Sequence, residues 1–175
     1  SVNSIKITNV GVREFVEDTS SRLPKAFEDD FSKVAVPHGS IVIALTRTII
    51  SDGLKVAIVP ETFHNALLNQ RVAALLFESN DADRDWVYVY LQTVHASDYV
   101  KKMANTLMQP NLSITDLKNM PLIMPNTKTE KIRVNKDINF FKTNLVELDN
   151  RYQQKIASLN ELKKSLLHQA FNGDL

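Results

Sequence analysis

Ile138-Asn139-Phe140-Phe141-Lys142-Thr143-Asn144-Leu145-Val146-Glu147-Leu148-Asp149-Asn150-Arg151-Tyr152 is the stretch on which the fold turns. With position a of a heptad set at Ile138, the register runs on through Leu145, Tyr152, Leu159 and Leu166. Position d takes Val134, Phe141, Leu148, Lys155, Leu162 and Gln169. Eight of these eleven residues are aliphatic or Phe, and Tyr152 is a ninth, so the seam is apolar almost throughout. Strict seven-residue spacing without a broader apolar stripe favours a coiled coil over a core helix packed on its own domain. Lys155 and Gln169 read either as polar breaks that set the register or as the worn edge of an interface.

Working outward, Thr127-x-x-Glu130 has the form of a capping box and marks the start of this helix. No Pro or Gly interrupts it before Gly173, which is placed to take the left-handed conformation that ends a helix. Some 40–45 residues at about 1.5 Å each make a rod of roughly 60–65 Å. A lone helix cannot bury such a seam, so the pattern calls for a partner helix.

Upstream the period changes. Ser1–Thr8 alternates and reads as a strand. Gly11–Ser21 is polar and turn-like, and Pro24 suits the first position of a short helix ending near Lys33. Ser40–Arg47 and Leu54–Val59 are β-branched and apolar, separated by the turn signal Ser51-Asp52-Gly53. Gln70–Phe77 is a fourth strand. Asp83–His95 and Ser97–Leu107 read as helices, with Trp86, Tyr90, Val94 and then Tyr99, Met103, Leu107 at spacings of four. Ser113-x-x-Asp116 can cap a short helix, and Pro121–Pro125 is an extended exit. The elements predict an α+β chain, with a mixed, β-rich domain over residues 1–125 and the long helix over residues 126–175.

At 175 residues with 43% hydrophobic content, the chain can build one core plus an appendage. It has no cysteine, which excludes disulfides and thiolate metal sites and suits a bacterial or cytosolic setting. No apolar run approaches the roughly 18 residues of a membrane-spanning helix. Net charge is +1, a weak electrostatic signature for a nucleic-acid binder. Residues 1–125 hold 12 Lys and Arg against 14 Asp and Glu, and residues 126–175 hold 9 against 6. Any basic surface on the first part must therefore come from local clustering.

The four glycines, at 11, 39, 53 and 173, cannot assemble a dinucleotide fingerprint, a phosphate-cradling loop or an S-adenosylmethionine loop. His38, His64, His95 and His168 are scattered, with no His-x-x-x-His or His-x-His pair, so no metal site is expected. Asp52, Lys55 and Glu61 stand near one another in a weak likeness of a nuclease carboxylate cluster, but a solvated hairpin explains them better. Nothing in the residues argues for an enzyme, and no cofactor of its own is expected.

Four further stretches carry a resemblance. Gly39-Ser40-Ile41-Val42-Ile43-Ala44-Leu45-Thr46-Arg47 is similar to a strand motif G-D-I-L-I-A-x-T-R, and Asn69-Gln70-Arg71-Val72 to an N-Q-R-V that opens the next strand. Gln109 through Leu117, with Pro121-Leu122-Ile123-Met124-Pro125, is like the boundary that comes after a target recognition domain. Leu162 through Leu175 is close to an L-K-x-S-L-L-x-x-A-F-x-G-x-L ending. Together they resemble the specificity subunit of type I restriction-modification systems over most of residues 35–175. The usual P-P-L-x-E-Q stands here as Pro125-Asn126-Thr127-Lys128-Thr129-Glu130-Lys131, which keeps the Glu and lacks the Gln. Members of this family usually carry two recognition domains and two spacer helices. This chain carries one of each, so the resemblance implies a half subunit, natural or cut, with the N-terminal part of its recognition domain either missing or abbreviated.

The resemblance implies that the globular part reads half of a bipartite site in double-stranded DNA and that the helix pairs with a second helix, antiparallel in the family. It implies methyltransferase and restriction subunits as partners, a cytoplasmic setting and no membrane. S-adenosylmethionine, ATP and Mg²⁺ are implied for the assembled complex and not for this chain. A homodimer through Ile138, Phe141, Leu145, Leu148, Tyr152, Leu159, Leu162 and Leu166 would present two identical recognition units to inverted repeats.

Phosphates are met by Lys, Arg and hydroxyls, and base edges by forked or long polar side chains. On that chemistry the DNA-contact candidates are Arg47, Thr48, Lys55, Lys101, Lys102 and Gln109. Arg47 either projects from the end of its strand or is held in a structural ion pair. Lys101 and Lys102 either touch phosphate or lie on an ordinary solvated helix face. Trp86 and Tyr90, at helical spacing, belong to the core more readily than to a base-stacking platform. Two alternative functions stay open: a coiled-coil adaptor that binds protein and not DNA, and the recognition fragment of a fused restriction-methylation enzyme.

Overall fold

The computed structural model describes residues 1–18, 20, 22–50, 53–77, 81–103 and 111–172. It divides into two compact units, Ser1–Met124 and Pro125–Leu175. The class is α+β.

The first unit is organised by the strand β3, Ile41–Ala44, all four residues of which are fully buried. Successive side chains of a strand point to opposite faces, so a strand buried throughout must be covered on both sides. Ile41, Ile43 and Leu45 enter one core cluster with Leu54, Val56, Ala73, Tyr90, Leu91, Ala96 and Val100. Val42 and Ala44 enter the other with Ile5, Val10, Val36, Ala57, Val59, Phe63 and Ala66. β3 is the middle of an antiparallel sheet between β6 (Val56–Ile58) and β8 (Val72–Leu75), with Ile41 opposite Ile58 on one side and Leu75 on the other.

The layer behind Val42 and Ala44 is a second small sheet. Its central strand β7, Ala66–Leu68, runs parallel to β1 (Ser4–Ile5) and antiparallel to β2 (Ala35–Val36). The layer behind Ile41 and Ile43 is helical, formed by α2 (Asp81–Tyr90) and α3 (Val94–Met103). A hairpin of β4 (Ile49–Ile50) and β5 (Gly53–Leu54) comes after β3. A short helix α1 (Ala26–Asp30) precedes β2, and α4 (Ile114–Lys118) comes after α3.

Several expectations are met residue by residue. The sequence-predicted strands Ser40–Arg47, Leu54–Val59 and Gln70–Phe77 correspond to β3, to β5 with β6, and to β8. The segment Asn69-Gln70-Arg71-Val72 stitches strands together: the Asn69 amide donates to Ile5 O at 3.0 Å, and the Leu45 amide donates to Arg71 O at 2.8 Å. Ser113 and Asp116 form the expected capping box, with the Asp116 amide donating to Ser113 Oγ at 3.0 Å. Tyr90 is buried and donates its hydroxyl to Pro121 O at 2.5 Å, while Trp86 Nε1 donates to Ile123 O at 2.6 Å. These aromatics fix the extended exit and are not exposed stacking surfaces.

Other boundaries move. The first strand shrinks to β1 because residues Ile7–Asn9 turn into a 3₁₀ segment. The break between α2 and α3 falls at Leu91–Thr93, so His95 lies in α3 and not at the end of α2. Thr93 Oγ1, which accepts the Ala96 amide at 3.5 Å, supplies the cap that starts α3 there. Ser51, Asp52, Leu107, Gly173 and the last two residues lie outside the described residues.

The second unit is one helix, α5, Lys128–Asn172, 45 residues long. Its start is the expected box: the Glu130 amide donates to Thr127 Oγ1 at 3.1 Å, and the Thr127 amide donates to Glu130 Oε2 at 3.3 Å. No helix among the described residues is long and apolar enough to cross a membrane.

Truncating Ile43 should be felt in the core it shares with α2 and α3. Ile43→Ala is expected to lower the unfolding free energy of the globular unit by about 2–5 kcal/mol. Urea unfolding monitored by Trp86 fluorescence measures this, and a loss under about 1 kcal/mol would contradict burial of Ile43 on the helix-covered face of β3.

Candidate nucleic-acid interface

The hairpin after β3 gathers three of the sequence-predicted contact residues. Ile49 pairs with Leu54 and Ile50 with Gly53. One step further, the Lys55 amide donates to Thr48 O at 2.8 Å, which closes the mouth of the hairpin. Arg47 therefore stands at one side of that mouth and Lys55 at the other.

Arg47 is exposed and has φ of 49°, in the left-handed region. A residue with a Cβ meets its own carbonyl there, at a cost of roughly 1–2 kcal/mol. Such outliers persist where the surroundings enforce them, and they gather at functional sites. The side-chain oxygens of Thr46 and Thr48, on either side, are buried with no hydrogen-bond partner among the described residues. Thr48 is itself fully buried, so its side chain is not offered to the surface; its carbonyl holds the hairpin.

Lys55 is half-buried and its Nζ donates to Ile7 O at 2.7 Å. Burial first, and then repulsion from the Arg47 guanidinium, hold its ammonium below the usual lysine value. An anion beside the two cations would relieve that repulsion on Lys55.

α3 packs beside the hairpin and brings Lys101 to it. Lys101, Ser97 and Val94 share one helical face with Gln92 and Thr93 before it. With Ile49, Gly53 and Arg13 they line a concavity of about 220 Å³. Lys101 is exposed and lies 3.7 Å from Asp98, an ion pair that solvent screens. Lys102 is also exposed but does not line the concavity, and Gln109 lies outside the described residues.

Arg13 is the residue that sequence reasoning missed. It too is exposed and left-handed, with φ of 65°, and its carbonyl accepts the Tyr88 hydroxyl at 3.1 Å. Burial raises the Tyr88 pKa, and the Arg13 charge partly opposes that rise. A positive φ on arginine leaves no mark in a sequence. The face Val94, Ser97, Lys101, by contrast, comes directly from helical spacing.

On α5 the named seam residues from Phe141 to Leu166 are exposed: Phe141, Leu145, Leu148, Tyr152, Leu159, Leu162 and Leu166. Ile138 is partly covered. Lys155 is exposed and holds its Nζ 6.0 Å from the Tyr152 ring centre, at the outer reach of a cation–π contact.

No family model matches the chain. Among curated proteins it is similar to the type I restriction enzyme MjaVIII specificity subunit of Methanocaldococcus jannaschii, at 27% identity over 180 residues. The alignment takes in 99% of this chain and 40% of that relative, so the chain spans well under half the length of the protein it matches. The similarity runs through both units, and it bears out the resemblance to specificity subunits read from the strand motifs and the C-terminal ending.

Replacing Arg47 separates strain from contact. Arg47→Gly should leave the fold as stable as before or up to about 1 kcal/mol more stable, because glycine tolerates the left-handed backbone. Should the hairpin contact duplex DNA, the same change would weaken that binding at least about fivefold, by loss of one charged contact worth roughly 1 kcal/mol. Chemical denaturation and fluorescence anisotropy measure the two. Unchanged DNA affinity would remove Arg47 from the interface.

Proposed function

We propose that this chain is a DNA-recognition module of a type I restriction-modification complex. The globular unit reads a half-site in duplex DNA, and α5 pairs with a second helix that fixes the distance to the other half. The observation that carries the reading is the exposed, left-handed Arg47 held beside Lys55, on a chain whose whole length aligns with a specificity subunit. Arg47 is the candidate for base edges, since its fork can make paired hydrogen bonds. Lys101, Lys102, Lys55 and Arg13 are the candidates for phosphates, where charge matters more than direction. Thr48 acts through the backbone of the hairpin.

The chain carries no chemistry in this reading. Methylation and cleavage belong to methyltransferase and restriction subunits that dock on it in the cytoplasm. The net charge of +1 keeps non-specific attraction to DNA low. Affinity then depends on the assembled complex, and the isolated chain binds weakly. That same charge favours the second reading, a coiled-coil adaptor that binds protein alone. Salt separates the two: DNA recognition weakens steeply as salt rises, and an adaptor shows no binding at any salt.

Lys101→Ala is expected to lower affinity evenly across sequences and to reduce the slope of log affinity against log salt by about 1. Binding titrations at several salt concentrations, with the methyltransferase subunit present, measure this. An unchanged slope would take Lys101 off the phosphate backbone.

Two copies of the chain pair through α5 in this proposal. Leu148→Glu or Leu162→Glu places a charge in the seam and should convert the dimer to a monomer while near-UV circular dichroism of the globular unit stays unchanged. Sedimentation equilibrium reads the mass. Unchanged mass in both variants would contradict pairing through the heptad.

A further inference from the structure

The histidines that lie far apart in sequence include one pair that folding brings into contact. β2 and β7 pair with Ala35 opposite Leu67 and Val36 opposite Ala66. Continued two residues beyond the strands, that register sets His38 opposite His64. The structure agrees: His38 Nδ1 lies 2.9 Å from His64 Nδ1, and the His38 amide donates to the same nitrogen at 3.3 Å. The Glu61 carboxylate joins them, with Oε2 3.1 Å from His38 Nδ1. Among the described residues, these three are the one group of such side chains whose ligand atoms all lie within 4.8 Å of one another.

The geometry points to a divalent transition-metal site of the zinc type, with His38, His64 and Glu61 as ligands. Zinc bonds imidazole nitrogen and carboxylate oxygen at about 2.0–2.2 Å, so tetrahedral ligand atoms stand roughly 3.3 Å apart. The two measured separations are close to that spacing. His38 Nδ1 stands between the other two, within hydrogen-bonding distance of both His64 Nδ1 and Glu61 Oε2. An ion bound there would take the His64 Nδ1 lone pair over from the His38 amide and draw the three ligand atoms together. Two nitrogens and one carboxylate oxygen suit zinc, cobalt or nickel and do not suit Mg²⁺ or Ca²⁺, which prefer oxygen shells.

The backbone that carries these ligands is held by packing and hydrogen bonds of its own. Glu61 and His64 bracket Phe63, which is 1% exposed and packs edge-on against Phe15 with ring centres 4.9 Å apart. Thr62, between them, accepts Asn3 Nδ2 on its carbonyl at 3.0 Å and donates its hydroxyl to Glu17 Oε2 at 2.5 Å. On the opposite side Gly39, with φ of 77°, turns the chain straight after His38, and its amide donates to Val59 O at 2.8 Å. The side chains of His38, Glu61 and His64 are exposed, so an ion and a fourth, water ligand have open access. Bound there, the ion would clip the turn before β3 to the turn before β7. This inference stands apart from the DNA-recognition reading and does not depend on it.

Isothermal titration of the full chain with Zn²⁺ alone, at neutral pH, tests the site. One ion per chain at micromolar affinity or tighter is expected, with a rise in thermal midpoint on adding Zn²⁺. His64→Gln and Glu61→Gln should each weaken binding at least tenfold, while His168→Gln leaves it unchanged. The metal-free variants should keep the wild-type melting temperature, which shows that they are folded. Affinity should fall in acid, because protonated imidazole cannot bind the ion. No binding at micromolar Zn²⁺, or equal binding by wild type and His64→Gln, would overturn the proposal. So would equal heat and stoichiometry with Mg²⁺.

Discussion

Burial of Ile41 to Ala44 on both faces is the constraint that shapes the globular unit. Four consecutive apolar residues in an extended strand send two side chains each way, so each side needs its own cover. The amphipathic helices α2 and α3 cover the Ile41 and Ile43 face. The sheet of β1, β7 and β2 covers the Val42 and Ala44 face. After β3 the chain turns at Arg47, in the left-handed region, into a short hairpin that keeps Thr48 and Leu54 buried. Arg47 is exposed at that turn, and Lys55 is half-buried across from it.

The long helix poses the opposite physical problem. Its globular companion has two core clusters, whereas α5 has a seam of exposed Leu, Phe and Tyr and, among the described residues, no second element within its own unit. A contiguous apolar stripe of that length marks an interaction surface. The cap made by Thr127 and Glu130 starts the helix cleanly, but capping contributes only about 1 kcal/mol and cannot substitute for burial. A reading in which the helix measures distance between two recognition units gives the seam a use.

Much of this fold was legible in the sequence, and the parts that were not share a cause. β3, β6 and β8 announce themselves through β-branched runs, both capping boxes through Ser/Thr-x-x-Asp/Glu, and α5 through its period. β2 and β7 were missed because Ala35-Val36 and Ala66-Leu67-Leu68 are too short and too ordinary to signal a strand. They are strands only because distant segments pair with them. The site residues divide the same way. Arg47, Lys55 and Lys101 stand in or beside recognisable elements, so their candidacy could be read. Arg13 enters through a backbone conformation that no spacing encodes. The contact of His38 with His64 comes from the register of two strands that the sequence did not reveal.

The central claim is that two recognition units are held at a set distance by paired helices. Selection of bound duplexes from a random pool, using this chain assembled with its methyltransferase subunit, addresses it most directly. Paired helices predict an enriched pair of identical short sequences, inverted and separated by one fixed gap. Recovery of no common sequence, or of a single unpaired motif with no preferred neighbour, would contradict that claim.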